Sequence, residues 1–419
     1  MRKRKRFRKA TAMVCLVSLA AGFSGCGEKE EKKTMRVITD QRLYDKVDMA
    51  GARFMEGIHS RIRVEIQTLP GEGPERETEI EKLRTEIMAG KGPDVYLLES
   101  DQDNIAEVRS YLLENPYQAM QSGALAPLDE YMEGDSYWEN STYNEVFLKA
   151  GRFDGRQYII LLSGYWFVLA QKSGIDEIEG DTLWEWIERA EVSSDIQQKV
   201  ALRGIWQGAG RWMQPAVDYE NQEVFFDKEE WKEFVKQWVS FLESTDAMIE
   251  ESGSGFSLNF IESVGYEPGT TLRLIPDMNG HKVASVGSYG AVGMSSDYKE
   301  ESYELIMLLL NERTRKYKEE KHDRELPVLD GWIDFSGAPL QENAVQNWMS
   351  SADEHVVQEV VECLREIENV YFMTEAEWNL YTELSALIFD RYELSIQMEQ
   401  KISEIADTTW NIYKKLVSE

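Results

Sequence analysis

Cysteine and histidine are scarce in this chain, at three and four residues among 419. The histidines, His59, His281, His322 and His355, are scattered without the spacing of a metal-binding set. Zinc chemistry and histidine-based triads therefore have little to work with. Gly-x-Ser-x-Gly, His-Glu-x-x-His and phosphate-loop patterns are also missing. No residue is assigned as catalytic, and neither a metal nor a cofactor is expected. Basic residues are in deficit, with 46 Lys and Arg against 76 Asp and Glu, a formal charge of −30. A chain this acidic is a poor partner for nucleic acid, whose phosphates must be met by Lys and Arg. Long apolar runs are lacking as well. The one at the amino terminus, 10–22, has only about 13 residues, where a bilayer core needs ~20.

What is present at that end is a leader. Arg2, Lys3, Arg4, Lys5, Arg6, Arg8 and Lys9 precede the short apolar run, and small residues close it. Residues 1–25 read as a secretory signal, to be set aside before folding is considered. Phe23-Ser24-Gly25-Cys26 resembles a lipobox, with Phe23 where such sites usually carry Leu. That resemblance implies a lipid thioether on Cys26 and a chain held to the outer side of the cell membrane through the bilayer. Residues 26–34 are charged and lack hydrophobes, as a tether would. Removing 1–25 takes away seven basic residues and no acids, so the charge moves from −30 to −37. The folded body should then be held off the anionic headgroups that its lipid grips. With Cys15 removed and Cys26 lipidated, Cys363 has no disulfide partner and reads as a small core residue in a helical pattern.

The remaining chain, about 390 residues at 42% hydrophobic content over the whole sequence, predicts two domains. Met35 to Ile38 is β-rich, Tyr44 to His59 is amphipathic, and Ile62 to Ile66 alternates. A Gly/Pro turn leads to a helix from Glu77 to Met88, stopped by Gly90, and Val95 to Leu98 reads as a third strand. Strand-helix-strand-helix-strand predicts a parallel sheet with ligands at the carboxyl ends of its strands. Asp154-Gly155 marks a turn before a strand at Tyr158 to Leu162. Further helices are expected at Asp181 to Val192, Lys228 to Leu242 and Glu300 to Leu310, with strand pieces at Thr271 to Pro276 and Val283 to Met294. From Asn343 to Ser418 the pattern is mostly helical.

Several ordered pieces resemble the family-1 extracellular solute-binding proteins, the maltose-binding-protein-like receptors of ABC importers. Glu81 to Val95, EKLRTEIMAGKGPDV, is similar to that family's helix and Gly-Pro-Asp strand start. Phe153-Asp154-Gly155-Arg156-Gln157-Tyr158 resembles its hairpin before the first interdomain crossing, and Gly287 to Gly293 its returning crossing. Leu326-Pro327-Val328 and Tyr413-Lys414-Lys415-Leu416 resemble its approach to the final helices and its terminal helix. The family often has Pro at Leu161 and Asn-Lys at Gln171-Lys172.

The resemblance implies an α/β, two-lobed periplasmic-binding-protein type II fold, with discontinuous lobes joined by hinge crossings and a helical C-terminus. Residues 35–162 and 288–328 would form the amino lobe, and 163–287 and 329–419 the carboxyl lobe. Several crossings restrict a hinge to few directions of opening. Asp94 would shape the strand start and not touch ligand.

Capture of a polar solute needs flat apolar faces and a few orienting polar groups. Tyr165 and Trp166, directly after the first crossing, are the first candidates. Asp101, seven residues after Asp94, and Asp40 with Gln41, after the first strand, supply cleft polar groups. Trp206, Arg211 and Trp212 share a Gly-spaced loop. Tyr289 and Trp332 stand at later crossings, and Phe256 and Asn259 rank below them.

The expected function is a monomeric, lipid-anchored receptor that captures a small solute, carbohydrate favoured, and passes it to an ABC permease. A lipoprotein sensor or adhesin on the same body is the alternative, and a secreted hydrolase is a more distant one. With 76 acids, carboxylate pairs at glycosidase spacing arise by chance and do not discriminate.

Overall fold

The computed structural model describes residues 33–100, 110–172, 177–245, 256–261, 269–310, 335, 337–389 and 396–418. Cys26 with most of the tether, Asp101 and Trp332 lie outside these residues, and so does Leu326-Pro327-Val328.

The first three strands are β1 (Lys33–Asp40), β2 (Ile62–Leu69) and β3 (Val95–Glu99), with β2 and β3 both paired parallel to β1. Helices α1 (Tyr44–Arg53) and α2 (Pro74–Met88) provide the crossovers. The amphipathic stretch expected to run helically to His59 changes at Phe54–Ile58 into one wider π-type turn. Helix α2 ends as its glycine predicts. Gly90 has φ +68°, its N–H donates to the Ile87 carbonyl, and the Lys91 N–H donates to that of Glu86. A left-handed residue just past the helix lets the following chain satisfy the last carbonyls. Asp94 ties the strand start, accepting from the Arg36 N–H at 2.7 Å and from Ser296 Oγ at 2.6 Å.

Helix α3 (Pro116–Gln121) leads toward a hairpin, β4 (Arg152–Phe153) and β5 (Arg156–Gln157). Asp154 (φ 49°) and Gly155 (φ 72°) make its two-residue turn, a backbone that Gly adopts without strain. Strand β6 (Ile159–Tyr165) then enters the large sheet, and after Trp166 strand β7 (Phe167–Lys172) starts the small one. Helices α4 (Leu183–Val192) and α5 (Lys228–Thr245) follow, with the short hairpin β8 (Val217–Asp218) and β9 (Glu223–Val224) between them. Strands β10 (Phe256–Phe260) and β11 (Thr270–Leu274) flank β7, antiparallel.

Strand β12 (Val283–Val292) returns to the large sheet, antiparallel to β3 and β6, and is covered by α6 (Lys299–Leu308). All ten β12 residues are buried. Helix α7 (Glu354–Glu366) precedes β13 (Asn369–Tyr371), which pairs parallel to β12. Helices α8 (Glu375–Phe389) and α9 (Ile396–Ser418) finish the chain. The large sheet has the order β13-β12-β3-β1-β2, with β6 also on β12.

Two cores result. One gathers Val37, Ile38, Val95, Leu97, Ile160 and Ile306 around the large sheet. The other gathers Trp186, Trp231, Phe234, Trp238, Leu380 and Tyr413 among the carboxyl-lobe helices. The small sheet divides by strand alternation, with Val168 and Ala170 in the first cluster and Leu169 in the second. Helix α7 lies between the lobes. Its Glu359 accepts the Leu272 N–H at 3.1 Å, while Val356, Val360 and Leu364 belong to the first cluster. The segment 338–372, assigned to the carboxyl lobe on resemblance, thus packs with both lobes, and β13 within it extends the amino-lobe sheet.

Candidate functional site

The carboxyl ends of β1 and β3 face the seam between the lobes, where a third apolar cluster stands apart from both cores. It contains Val283, Tyr371, Met373, Trp378 and Tyr381, with Tyr111 and Trp206 packed against them. Tyr111 comes from the amino lobe. Trp378 and Tyr381 come from α8, and Trp206 comes from the Gly204–Arg211 turn. The Trp206 and Tyr381 rings stack at 5.8 Å between centroids, and Tyr111 stacks parallel to Trp378 at 6.4 Å.

Beside this cluster lies a cavity of about 450 Å³, walled from one lobe by Ser110, Tyr111 and Glu114 and from the other by Met373, Thr374, Glu375, Trp378, Asn379, Thr382 and Glu383. Five of these residues stand at i, i+3, i+4, i+7 and i+8 of α8, one stripe of a helix. Aromatic faces with hydroxyl, amide and carboxyl groups are what binding a polar solute with apolar ring faces requires.

A second cavity of about 280 Å³ follows the same seam. Tyr117, Arg152 and Phe153 line it from the amino lobe and Pro215, Tyr219 and Phe225 from the carboxyl lobe, with Phe372 and Glu377 at its base. Tyr117 stacks on Tyr219 there, and the Asp154 N–H donates to Glu220 Oε1 at 2.7 Å. Glu377 is buried and accepts from Tyr413 Oη at 2.9 Å, Gln214 Nε2 at 3.2 Å, the Thr374 N–H at 2.8 Å and Thr374 Oγ1. Burial raises its pKa above the ordinary carboxyl value, and the hydrogen bonds from Thr374 and Tyr413 oppose that rise.

Of the residues expected to touch solute, Trp206 reaches the aromatic cluster and Gln41 is exposed. The others described are buried and take structural roles. Asp40 is 1% exposed, pairs with Arg76 at 2.8 Å and accepts the Glu99 N–H at 2.9 Å. It anchors the ends of β1 and β3, and its carboxylate is already engaged there. Tyr165 and Trp166 are fully buried, with Trp166 against Phe147, because both faces of the crossing strand are covered. Trp212 packs edge-on to Phe234 and Trp238 in the carboxyl-lobe core, and its Nε1–H donates to the Ile205 carbonyl. Arg211 lies over the Phe167 ring and donates to Ser285 Oγ at 2.6 Å, joining the turn to β12. Tyr289 packs edge-on to Phe372 within the sheet. Phe256 and Asn259 lie in β10, opposite Gln171 and Val168 of β7.

Tyr111, Trp378 and Tyr381 were not anticipated. Their signal was the spacing Glu375, Trp378, Asn379, Thr382, Glu383, a polar and aromatic stripe on a helix whose buried face is Ala376, Leu380, Leu384 and Leu387. Among the described residues, no group of three or more His, Cys, Asp or Glu is placed to hold a metal ion, and no helix is long and apolar enough to cross a membrane.

No family model matches the chain, and no curated protein matches it. Solved structures do match. A family-1 extracellular solute-binding protein from Alicyclobacillus acidocaldarius is 13% identical, with 91% of this chain and 98% of that one covered at a TM-score of 0.57. An ABC substrate-binding protein from Listeria monocytogenes in complex with cycloalternan is 16% identical, with 91% and 99% covered at 0.55. A cyclic alpha-maltosyl-1,6-maltose binding protein from Arthrobacter globiformis is 15% identical, with 91% and 99% covered at 0.55. The similarity establishes the fold: a two-lobed, periplasmic-binding-protein-type α/β architecture with a helical C-terminus.

Proposed function

We propose that this chain is an extracytoplasmic solute-binding protein that captures a carbohydrate between its lobes and delivers it to an ABC permease. The observation that carries the reading is the 450 Å³ cavity walled by Tyr111 from one lobe and by Trp378 from the other. A solute held there touches both lobes, so its binding is tied to their relative position. It favours the closed arrangement by its difference in affinity for closed over open. The Listeria and Arthrobacter proteins of the same fold are a complex with cycloalternan and a cyclic maltosyl-maltose binder. Those ligands support a saccharide here, as do the aromatic faces. The basic leader and Phe23-Ser24-Gly25-Cys26 support export and lipid anchoring at Cys26. The reading assigns no catalytic residue.

The test is a thermal-shift and calorimetric screen of the mature chain against mono- and oligosaccharides, amino acids and short peptides. A ligand raises the unfolding midpoint progressively with its concentration, by about 2.7 kcal/mol at a hundredfold excess over Kd. Tyr111→Ala and Trp378→Ala should each remove the saccharide shift. Saccharide binding that survives both substitutions would place the site elsewhere.

A further inference from the structure

We infer that the preferred solute carries a protonated amine, so that an amino sugar binds this cavity better than its neutral or acidic counterparts. The inference rests on the solute-binding reading above and refines its ligand class.

Three carboxylates line the cavity, Glu114 from the amino lobe and Glu375 and Glu383 from α8, and no Lys, Arg or His does so among the described residues. Glu375 and Glu383 end the exposed stripe of α8, eight residues and so ~12 Å apart along the axis. Between them stands the indole of Trp378, with Tyr111 parallel to it from the other lobe. Electron-rich ring faces beside carboxylates make a surface that attracts an ammonium group. Glu114 has a partner, Arg84 at 2.8 Å, whose guanidinium also donates to the carbonyls of Tyr111 and Leu112. Glu375 and Glu383 take part in no ion pair among the described residues.

A second, independent feature points to a solute at this wall. Trp378 is 9% exposed, and its Nε1–H has no acceptor among the described residues. A buried donor without a partner costs about 1–3 kcal/mol. A hydroxyl or ring oxygen of a bound sugar satisfies it, whereas a simple polyamine offers no oxygen. The anionic alternative is disfavoured twice. The positive end of α8, the usual cradle for an anion, is occupied by its own Glu377, which accepts from the Thr374 N–H. The chain's charge of −30 also repels an anion on approach.

The experiment is calorimetric titration of the mature chain with the β-1,4-linked glucosamine disaccharide, its N-acetylated form, cellobiose, a uronic-acid disaccharide and spermidine, at low and at high salt. The glucosamine disaccharide should bind about tenfold tighter than the N-acetylated form, the scale of one hydrogen bond to a charged group. That ratio should fall toward one in the Glu375→Gln/Glu383→Gln double variant and shrink at high salt. Neutral or acidic sugar binding as tightly as the amine overturns the inference and leaves the solute-binding reading standing. Spermidine binding with no sugar bound supports the cationic preference and overturns the carbohydrate reading. No binding by any probe overturns both.

Discussion

The ring of Tyr117 lies on the ring of Tyr219 with centroids 4.4 Å apart and planes at 17°, one phenol from each lobe. Beside it the Asp154 N–H donates to Glu220 across the same seam. Together they fasten the lobes at the rim of the second cavity, away from the Trp378 wall. An aromatic pair of this kind contributes about 0.5–1.5 kcal/mol beyond its buried area. Tyr219→Ala should therefore open the ligand-free chain, seen as a larger radius of gyration in small-angle scattering. It should also weaken solute binding about two- to tenfold, as the binding-competent fraction falls. An unchanged scattering profile would show that the stack does not hold the lobes together.

Trp166 marks the turn from the large sheet to the small one and is fully buried against Phe147. Its truncation to Ala should cost about 3–5 kcal/mol of stability, the usual loss for a buried aromatic. Urea unfolding of the ligand-free chain measures it. Tyr111→Ala, on the cavity wall, should leave the ligand-free midpoint near that of the parent. A Trp166→Ala midpoint equal to the parent's would return this residue to the cleft surface.

Glu377 gives the protein a pH dependence of definite sign. Burial lifts its folded-state pKa above the ordinary 4.5, so in the window above 4.5 the folded chain holds a proton that the unfolded chain has released. Stability contributed by this group is complete below 4.5 and is lost as pH rises through the folded-state value. In Glu377→Gln that slope disappears. The unfolding free energy of the parent minus that of the variant should decline from about pH 4 toward about pH 8 in denaturant titrations. A difference that stays flat or grows over that range would mean that Glu377 is ionised in the fold.

Much of the architecture is legible because local patterns and tertiary needs agree. Val95 to Leu98 is a continuous apolar run because β3 is covered on both faces, and all five of its residues are buried. Gly90 stops α2 because only a left-handed residue lets Lys91 and Gly90 cap its last turn. Asp154-Gly155 turns the hairpin for the same conformational reason.

The binding wall is less legible. Tyr165, Trp166, Trp212 and Trp378 are alike as residue types, and what separates them is which side of a strand or helix meets the other lobe. Asp40 shows the same limit. Its place after the first strand was read correctly, but Arg76, 36 residues away, decides that its carboxylate is spent inside the lobe.

The order of strands and helices, the acidic surface and the turn glycines follow from the sequence alone, since each depends on neighbours a few residues apart or on composition. The tertiary structure alone decides which aromatic rings remain at the seam, how 338–372 is shared between lobes, and which carboxylates line the cavity. Those outcomes depend on side chains that lie far apart along the chain and meet only when the two lobes pack.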